Sequence, residues 1–267
     1  MKEGSTKPNY CKRLKQRIMR RTPSMVGDSV GAGAGALVGF SLGGPLAAIW
    51  GAAIGSAISG EVSDIFQREL SKQERTRIDK LTEYIFKKIE NNCDAGLKPR
   101  SDDFIHDGPT SRSSAKEIVE GLYISAKSDH EEKKLPYYGN LLVNILFMPE
   151  IDRFQADFLV RLLKNLSYRQ FCIIALATHK DEFKLKEGGY KGGYYDDKLV
   201  FVLQEMHELY SQRLLGPFGS NIFGFETVSP VNMAIEGVGE TIYELAELDD
   251  LYRNDYDELK RTAELLK

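Results

Sequence analysis

Between Ser29 and Gly60 the chain lacks any charged side chain, although charged residues make up 28% of its 267 residues. Other absences bound its chemistry. Cysteine is scarce: Cys11, Cys93 and Cys172 are an odd number without metal-ligand spacing, which excludes a disulfide scaffold and suits a reducing compartment. The four histidines, His106, His130, His179 and His207, form no HExxH, and His130-Glu131-Glu132 sets its acids beside the ring rather than across from it. GGYKGG has the glycines and lysine of a phosphate loop but neither the following Ser/Thr nor a strand-to-helix context, and no GxSxG elbow is present. These absences predict a protein that is not an enzyme and uses no cofactor or metal. Strand-like alternation is also missing, so the expected fold class is all-α.

What fills the uncharged run is small. Its 32 residues comprise nine Gly, eight Ala, four Ser, one Pro and only ten large apolar side chains. Small residues recur every fourth position at Gly27, Gly31, Gly35, Gly39, Gly43, Ala47, Gly51, Gly55 and Ser59. Glycine is a poor helix former in water, so such a stripe fits a membrane, where the helix is obligatory and backbones approach closely. Four residues advance about 400° around a helix, so each step drifts by roughly 40° and the full stripe would circle a straight helix almost once. Two shorter helices could each present it to a neighbour, and Gly43-Gly44-Pro45 supplies a break. Each half would span about 25 Å against a hydrocarbon core of about 30 Å, so a hairpin and one tilted helix kinked at Pro45 both remain open. A soluble zipper buried in a core also stays open.

Charge bears on topology. Residues 1–26 carry Lys2, Lys7, Lys12, Arg13, Lys15, Arg17, Arg20 and Arg21 against the single acid Glu3. Such an arm stays cytoplasmic and suits an anionic membrane face, although a mitochondrial presequence would have the same bias. Residues 195–267 carry six cations against fifteen acids, a solvated acidic face rather than a phosphate-binding one.

Four parts follow: a basic arm 1–26, a Gly-rich membrane segment 27–60, a helical stalk and bundle 61–166, and a helical domain 167–267. The helix from Val62 is expected to lead straight into the helix opened by the capping box Ser71-Lys72-Gln73-Glu74, whose apolar face is Ile78, Leu81, Tyr84, Ile85 and Ile89. Further helices are expected over 113–129, 136–148 and 153–165. Their core faces are Ile118, Leu122 and Ile124, then Leu141, Leu142, Ile145 and Leu146, then Phe154, Phe158, Leu162 and Leu163. Beyond them the pattern predicts helices 168–180, 197–214, 238–248 and 250–266, with a poorly helical stretch 216–235.

Residues 165–250 resemble winged-helix domains in rhythm, with VSPVNMAIEGVGETIYELAEL standing for the wing and its following helix. The stretch LVFVLQEMHELYSQRLL before the wing has only Arg213 as a cation, and the wing has Glu226 and no Lys or Arg, whereas duplex binding needs several phosphate-neutralising cations. The resemblance therefore implies an interaction or assembly module.

The best ligand candidates are Lys184, Lys186, Tyr190, Lys191, Tyr194 and Tyr195, where bases could stack on tyrosine while lysines meet phosphate, together with Arg100 and Arg112 of the polar loop 97–112. An ordinary mobile loop and ordinary solvation are the competing readings of these two segments.

The stretch RSDDF from Arg100, and then RSSAKEIVEGLYISAKSDHEEKKLPYYGNLLVNILFMPEIDRFQADFLVRLLKNLSYRQFCIIAL from Arg112 to Leu176, resembles a helical domain found in many bacterial proteins. Joined to an N-terminal Gly-rich segment, the architecture is similar to membrane effectors of antiphage abortive-infection systems, most nearly the channel effector of the Hailong type. The resemblance implies an oligomeric ion channel controlled by an oligodeoxyadenylate-type ligand that a nucleotidyltransferase makes. It carries no ligand-pocket motif, so no binding residue follows from it.

The leading expectation is thus an oligomeric channel or pore former of the bacterial inner membrane, its soluble part cytoplasmic and gated by a nucleotide or oligonucleotide. Its partners would be the lipid membrane and further copies of itself, as in a tetramer. The alternatives are a membrane-tethered regulator or scaffold binding protein or DNA, and a soluble oligomer with the zipper buried.

Overall fold

The computed structural model describes residues 52–108, 111–190, 195–216 and 228–267, with the side chains of 52–54 and 56 excepted. Gly27, Gly31, Gly35, Gly39, Gly43, Ala47 and Gly51 therefore lie outside the described residues, as do Lys191, Tyr194 and Glu226. Among the described residues 69% are helical and 2% strand, so the class is all-α. No helix among them is long and apolar enough to cross a membrane. Packing divides them into two units, one ending at Ser167 and one starting at Tyr168.

The first unit has five helices: α1 (Ala52–Gln67), α2 (Lys72–Asp94), α3 (Ser114–Ser128), α4 (Leu135–Phe147) and α5 (Arg153–Asn165). The caps that start them are local. At α2 the Ser71 side chain accepts from the Glu74 N–H at 3.2 Å and the Glu74 carboxylate accepts from the Ser71 N–H at 2.9 Å. Asp152 and Gln155 form the same reciprocal pair at α5, Ser113 caps α3, and Pro136 sits in the first turn of α4.

Side-chain pairs fix the directions of these helices. Glu61 and Arg68 meet Arg112 and Glu120, so α1 runs parallel to α3. Arg77 donates to the Lys127 carbonyl and Thr82 bonds Tyr123, so α2 runs against α3. The start of α4 reaches Asp129 through Tyr138 and its end reaches Arg100 through the Ile145 carbonyl, which makes it parallel to α2. Arg153 meets Glu117 while Lys134 donates to the Lys164 carbonyl, so α5 runs with α3. The result is an up-and-down bundle in which α3 packs against all four other helices.

Three expectations change here. The uncharged run does not end where a helix ends: Ala52 to Gly60 belong to α1, and Gly55, Ala57 and Ile58 are buried. Nor does that helix lead straight into the next, because Arg68–Ser71 separate α1 from α2 and the Ser71 cap starts a new axis. The third concerns α5. Its core face is Ala156, Leu159, Val160, Leu162 and Leu163, while Phe154 and Phe158, expected in the core, are 80% and 48% exposed. At 100° per residue the row 154–158 points away from the row 156–159–163.

The second unit is built around α6 (Tyr168–His179), buried along most of its length from Phe171 to Ala177. Against it pack α7 (Asp197–Ser211), α8 (Val238–Leu245), α9 (Asp250–Asn254) and α10 (Tyr256–Glu264). Two short strands, β1 (Leu215–Gly216) and β2 (Ala234–Ile235), pair antiparallel with Leu215 opposite Ile235. The helix expected to reach residue 214 stops at Ser211, where Arg213 takes a left-handed φ of 58° and the Leu214 N–H returns to the Leu209 carbonyl at 2.9 Å. A similar closure with Glu247 at φ 56° ends α8. The expected helix 250–266 is two helices divided at Asp255, whose carboxylate accepts from the Tyr168 hydroxyl at 2.6 Å.

Candidate functional site

The described part of the small-residue stripe leads into a ladder of charges. Glu61 of α1, 12% exposed at its side chain, accepts from Arg112 at 2.5 Å. The same guanidinium reaches Glu120 of α3 at 2.8 Å, and Glu120 also meets Arg68 at 2.6 Å, which in turn meets Asp64 at 2.6 Å. Two arginines thus bridge three carboxylates from two parallel helices. Hydrogen bonds from Arg112 and Arg68 hold the Glu120 carboxyl below its usual range, and the same contacts raise both arginines. Arg112, foreseen as an open anion site, is instead the clamp that ties α1 to α3.

Arg112 also borders a cleft of about 390 Å³ with His106, Asp103, Asp107, Glu117 and Arg153. Its cations already have carboxylate partners: Arg153 meets Glu117 at 2.6 Å, and Arg112 joins Glu61 and Glu120. Asp107 accepts from the Ser113 N–H at 2.8 Å and from Lys116. Two arginines against three acids leave this lining slightly negative, a poor match to an oligoanion.

Arg100 differs more from its expectation. It is 5% exposed and donates to the Asp102 carboxylate at 2.8 and 2.6 Å and to the carbonyls of Ile145, Met148 and Ile151 at 3.3, 3.2 and 2.9 Å. Its guanidinium lies 3.8 Å from the centre of the Phe104 ring, and the pairing holds the Asp102 carboxyl below its usual range. Arg100 therefore pins the polar loop to the α4–α5 turn and presents no open donor to a solvent-borne phosphate.

In the second unit the structure brings together three of the six loop candidates. The Lys186 ammonium lies 5.6 Å from the Tyr190 ring, Tyr195 meets that ring edge-on at 6.2 Å, and the Tyr195 hydroxyl donates to the Tyr190 carbonyl at 2.6 Å. Lys186 is tied through its backbone to Leu266 and Val231, while Lys184 is exposed. Tyr190 is 5% exposed, so its ring face is not open to a base; burial pushes its hydroxyl up to about 12, and that hydroxyl has no hydrogen-bond partner among the described residues. Lys191 and Tyr194 lie outside the described residues.

No protein-family model, curated protein or solved structure matches the chain.

Two polar clusters escaped sequence reasoning. The Lys134 ammonium is buried against Asp129 at 2.6 Å, with the Tyr138 hydroxyl donating to the same carboxylate at 2.8 Å. Although burial raises Asp129, hydrogen bonds from Lys134, the Glu131 backbone and Tyr138 outweigh it and hold the carboxyl low. In the second unit His179 contacts Asp249 at 2.8 Å, stacks on Tyr252 at 4.2 Å and shares Asp249 with the Tyr243 hydroxyl. The run DHEEKK shows charges, but nothing in it tells which lysine turns inward. Asp249, which His179 contacts, lies seventy residues away.

Proposed function

We propose that the chain is an oligomeric channel or pore former of the bacterial inner membrane, with residues 27–51 as the membrane element and the helical units behind it as a cytoplasmic gate in antiphage defence. One observation carries the reading: an uncharged 32-residue run with a small residue at every fourth position, in a chain otherwise rich in charge. The Arg112 ladder supports it, because α1 continues that run and is clamped to the helix at the centre of the bundle. A signal that moves α3 would thereby reach the run. The controlling ligand is proposed as a nucleotide or oligonucleotide on the architectural resemblance to Hailong-type effectors.

The test is ion flux from liposomes holding the purified chain, with and without oligodeoxyadenylate, paired with alkaline carbonate extraction of cell membranes. Wild type should resist extraction. Gly35→Leu and Gly39→Leu should still insert but lose assembly, because added bulk blocks backbone approach. Absence of flux under every condition sinks the channel reading.

A second reading has its own observation. The β1–β2 pair lies between α7 and α8, the order of helix, wing and helix in a winged-helix module, which would suit a membrane-tethered regulator or scaffold. Strong, steeply salt-dependent duplex binding by the intact chain would favour it.

A further inference from the structure

Phe154 and Phe158 stand one turn apart on the outer face of α5, 80% and 48% exposed, and are two of the five exposed large apolar side chains among the described residues. Burial of a phenylalanine side chain is favourable, so two left in water on one helix face call for a covering surface. Their place in the bundle says which.

α1, α3 and α5 run parallel, so all three begin toward one end of the first unit, α1 reaching furthest because its tenth residue, Glu61, meets Arg112 just before α3. The chain enters α1 at Ala52, still within the uncharged run, and α5 begins at that same end with Arg153 and Phe154. The aromatic face therefore starts at the end of the bundle where the membrane element arrives. Cations flank it: Arg153 and Arg161 are 55% and 66% exposed at their side chains, and Lys164 is exposed one turn further on. Asp157 within the face pairs with Arg161 at 2.9 Å.

We infer that the outer face of α5 is a bilayer-contact surface, with Phe154 and Phe158 seated among the lipid headgroups beside the membrane element. This rests on the membrane reading of residues 27–51. The contact is aromatic more than electrostatic, because Asp103 and Glu150 are exposed in the turns at the same end and offset the arginines. Zwitterionic phosphatidylcholine should therefore suffice, and salt should weaken the contact little.

The chain has a single tryptophan, Trp50, which makes a clean experiment available. In a Trp50→Phe background, Phe154→Trp and Phe158→Trp are made one at a time in the full chain, a conservative change at exposed sites. Each variant is floated with phosphatidylcholine vesicles with and without lipid brominated near the headgroup. The expected result is blue-shifted emission and its loss to the brominated lipid at both positions, unchanged in high salt. Water-like, unquenched emission from chains that float overturns this contact and leaves the membrane reading standing. Emission that shifts with protein concentration but ignores bromine overturns it in favour of contact between copies. A chain that does not float at all overturns both readings.

Discussion

Arg112 holds Glu61 at 2.5 Å and Glu120 at 2.8 Å, so one guanidinium joins the helix that continues the uncharged run to the helix at the centre of the bundle. Its value lies in position more than in strength. Surface ion pairs contribute roughly 0–1 kcal/mol each, and the Arg112 side chain is 46% exposed. The buried Ala57, Ile58, Val62 and Ile65 supply the greater part of α1 docking, and the ladder sets its register.

Replacing Arg112 by Gln should therefore leave the bundle folded while α1 opens more often. Hydrogen exchange should rise in peptides covering 52–67 and stay unchanged in those covering α2 and α4. The folded Glu120 carboxyl sits below its usual range, so its contribution is present above the ordinary carboxylate pKa of about 4 and fades as pH falls through the lower folded value. Wild type below that folded value should thus lose protection at α1, after correction for the pH dependence of intrinsic exchange, much as Arg112→Gln does at pH 7. Equal exchange in both proteins at pH 7 would remove the clamp from the account.

Lys134 is the opposite case, a buried charge with a buried partner. Lys134→Met leaves the Asp129 carboxylate uncompensated, and breaking such a pair costs about 3–5 kcal/mol, to be read from urea unfolding at pH 7. The Asp129 carboxyl is held low when folded, so wild type loses this stability as pH drops through that folded value. The gap between wild type and variant should narrow in acid, because a protonated Asp129 no longer needs a cation. A gap that stays constant from pH 7 to pH 3 would contradict the pairing.

Which features could be read in advance follows from how far each determinant lies along the chain. Ser71 with Glu74 and Asp152 with Gln155 stand three residues from their partners, and both helix starts were legible. Phe154 and Phe158 were misassigned because their row continues the periodic pattern into Leu162, and periodicity alone does not say which of two adjoining apolar rows turns inward. Arg100 looked like an open cation because its carbonyl partners lie some fifty residues on and converge only when α4 and α5 form their turn. The division between α9 and α10 depends on Tyr168, 87 residues before Asp255. At the ladder the residue types were legible, and the pairing of α1 with α3 was not.

Arg100→Ala should be among the most damaging substitutions in the first unit. It removes a donor from the carbonyls of Ile145, Met148, Pro149 and Ile151 and takes the partner from Asp102, and each buried carbonyl left without a hydrogen bond costs about 1–3 kcal/mol. Arg100→Lys should recover little, since one ammonium cannot reproduce the planar fork that serves Asp102 and the carbonyls together. Thermal melting of both variants checks this; a Lys variant as stable as wild type would show that charge, and not geometry, is what the site needs.

Three glycines in helices should respond to alanine with different signs. At Gly121 of α3 a Cβ would meet nothing within 4 Å, so the only change is better helix propensity and the variant should gain about 0.5–1 kcal/mol. At Gly139 of α4 the Cβ would fall 2.5 Å from Tyr84 Cδ1, a ring that can move only by straining its bond to Asn140 at 2.7 Å. A loss of about 1–3 kcal/mol is expected there, and Tyr84→Ala in the same chain should relieve part of it. At Gly239 of α8 the Cβ would lie 2.1 Å from the Leu214 carbonyl oxygen, which is backbone and has no rotamer to yield. Its alanine variant should be the least stable of the three, with no single side-chain truncation able to rescue it. Urea unfolding of the three alanine chains, read by probes in each unit, ranks them; Gly239→Ala as stable as Gly121→Ala would refute the close approach of α8 to β1.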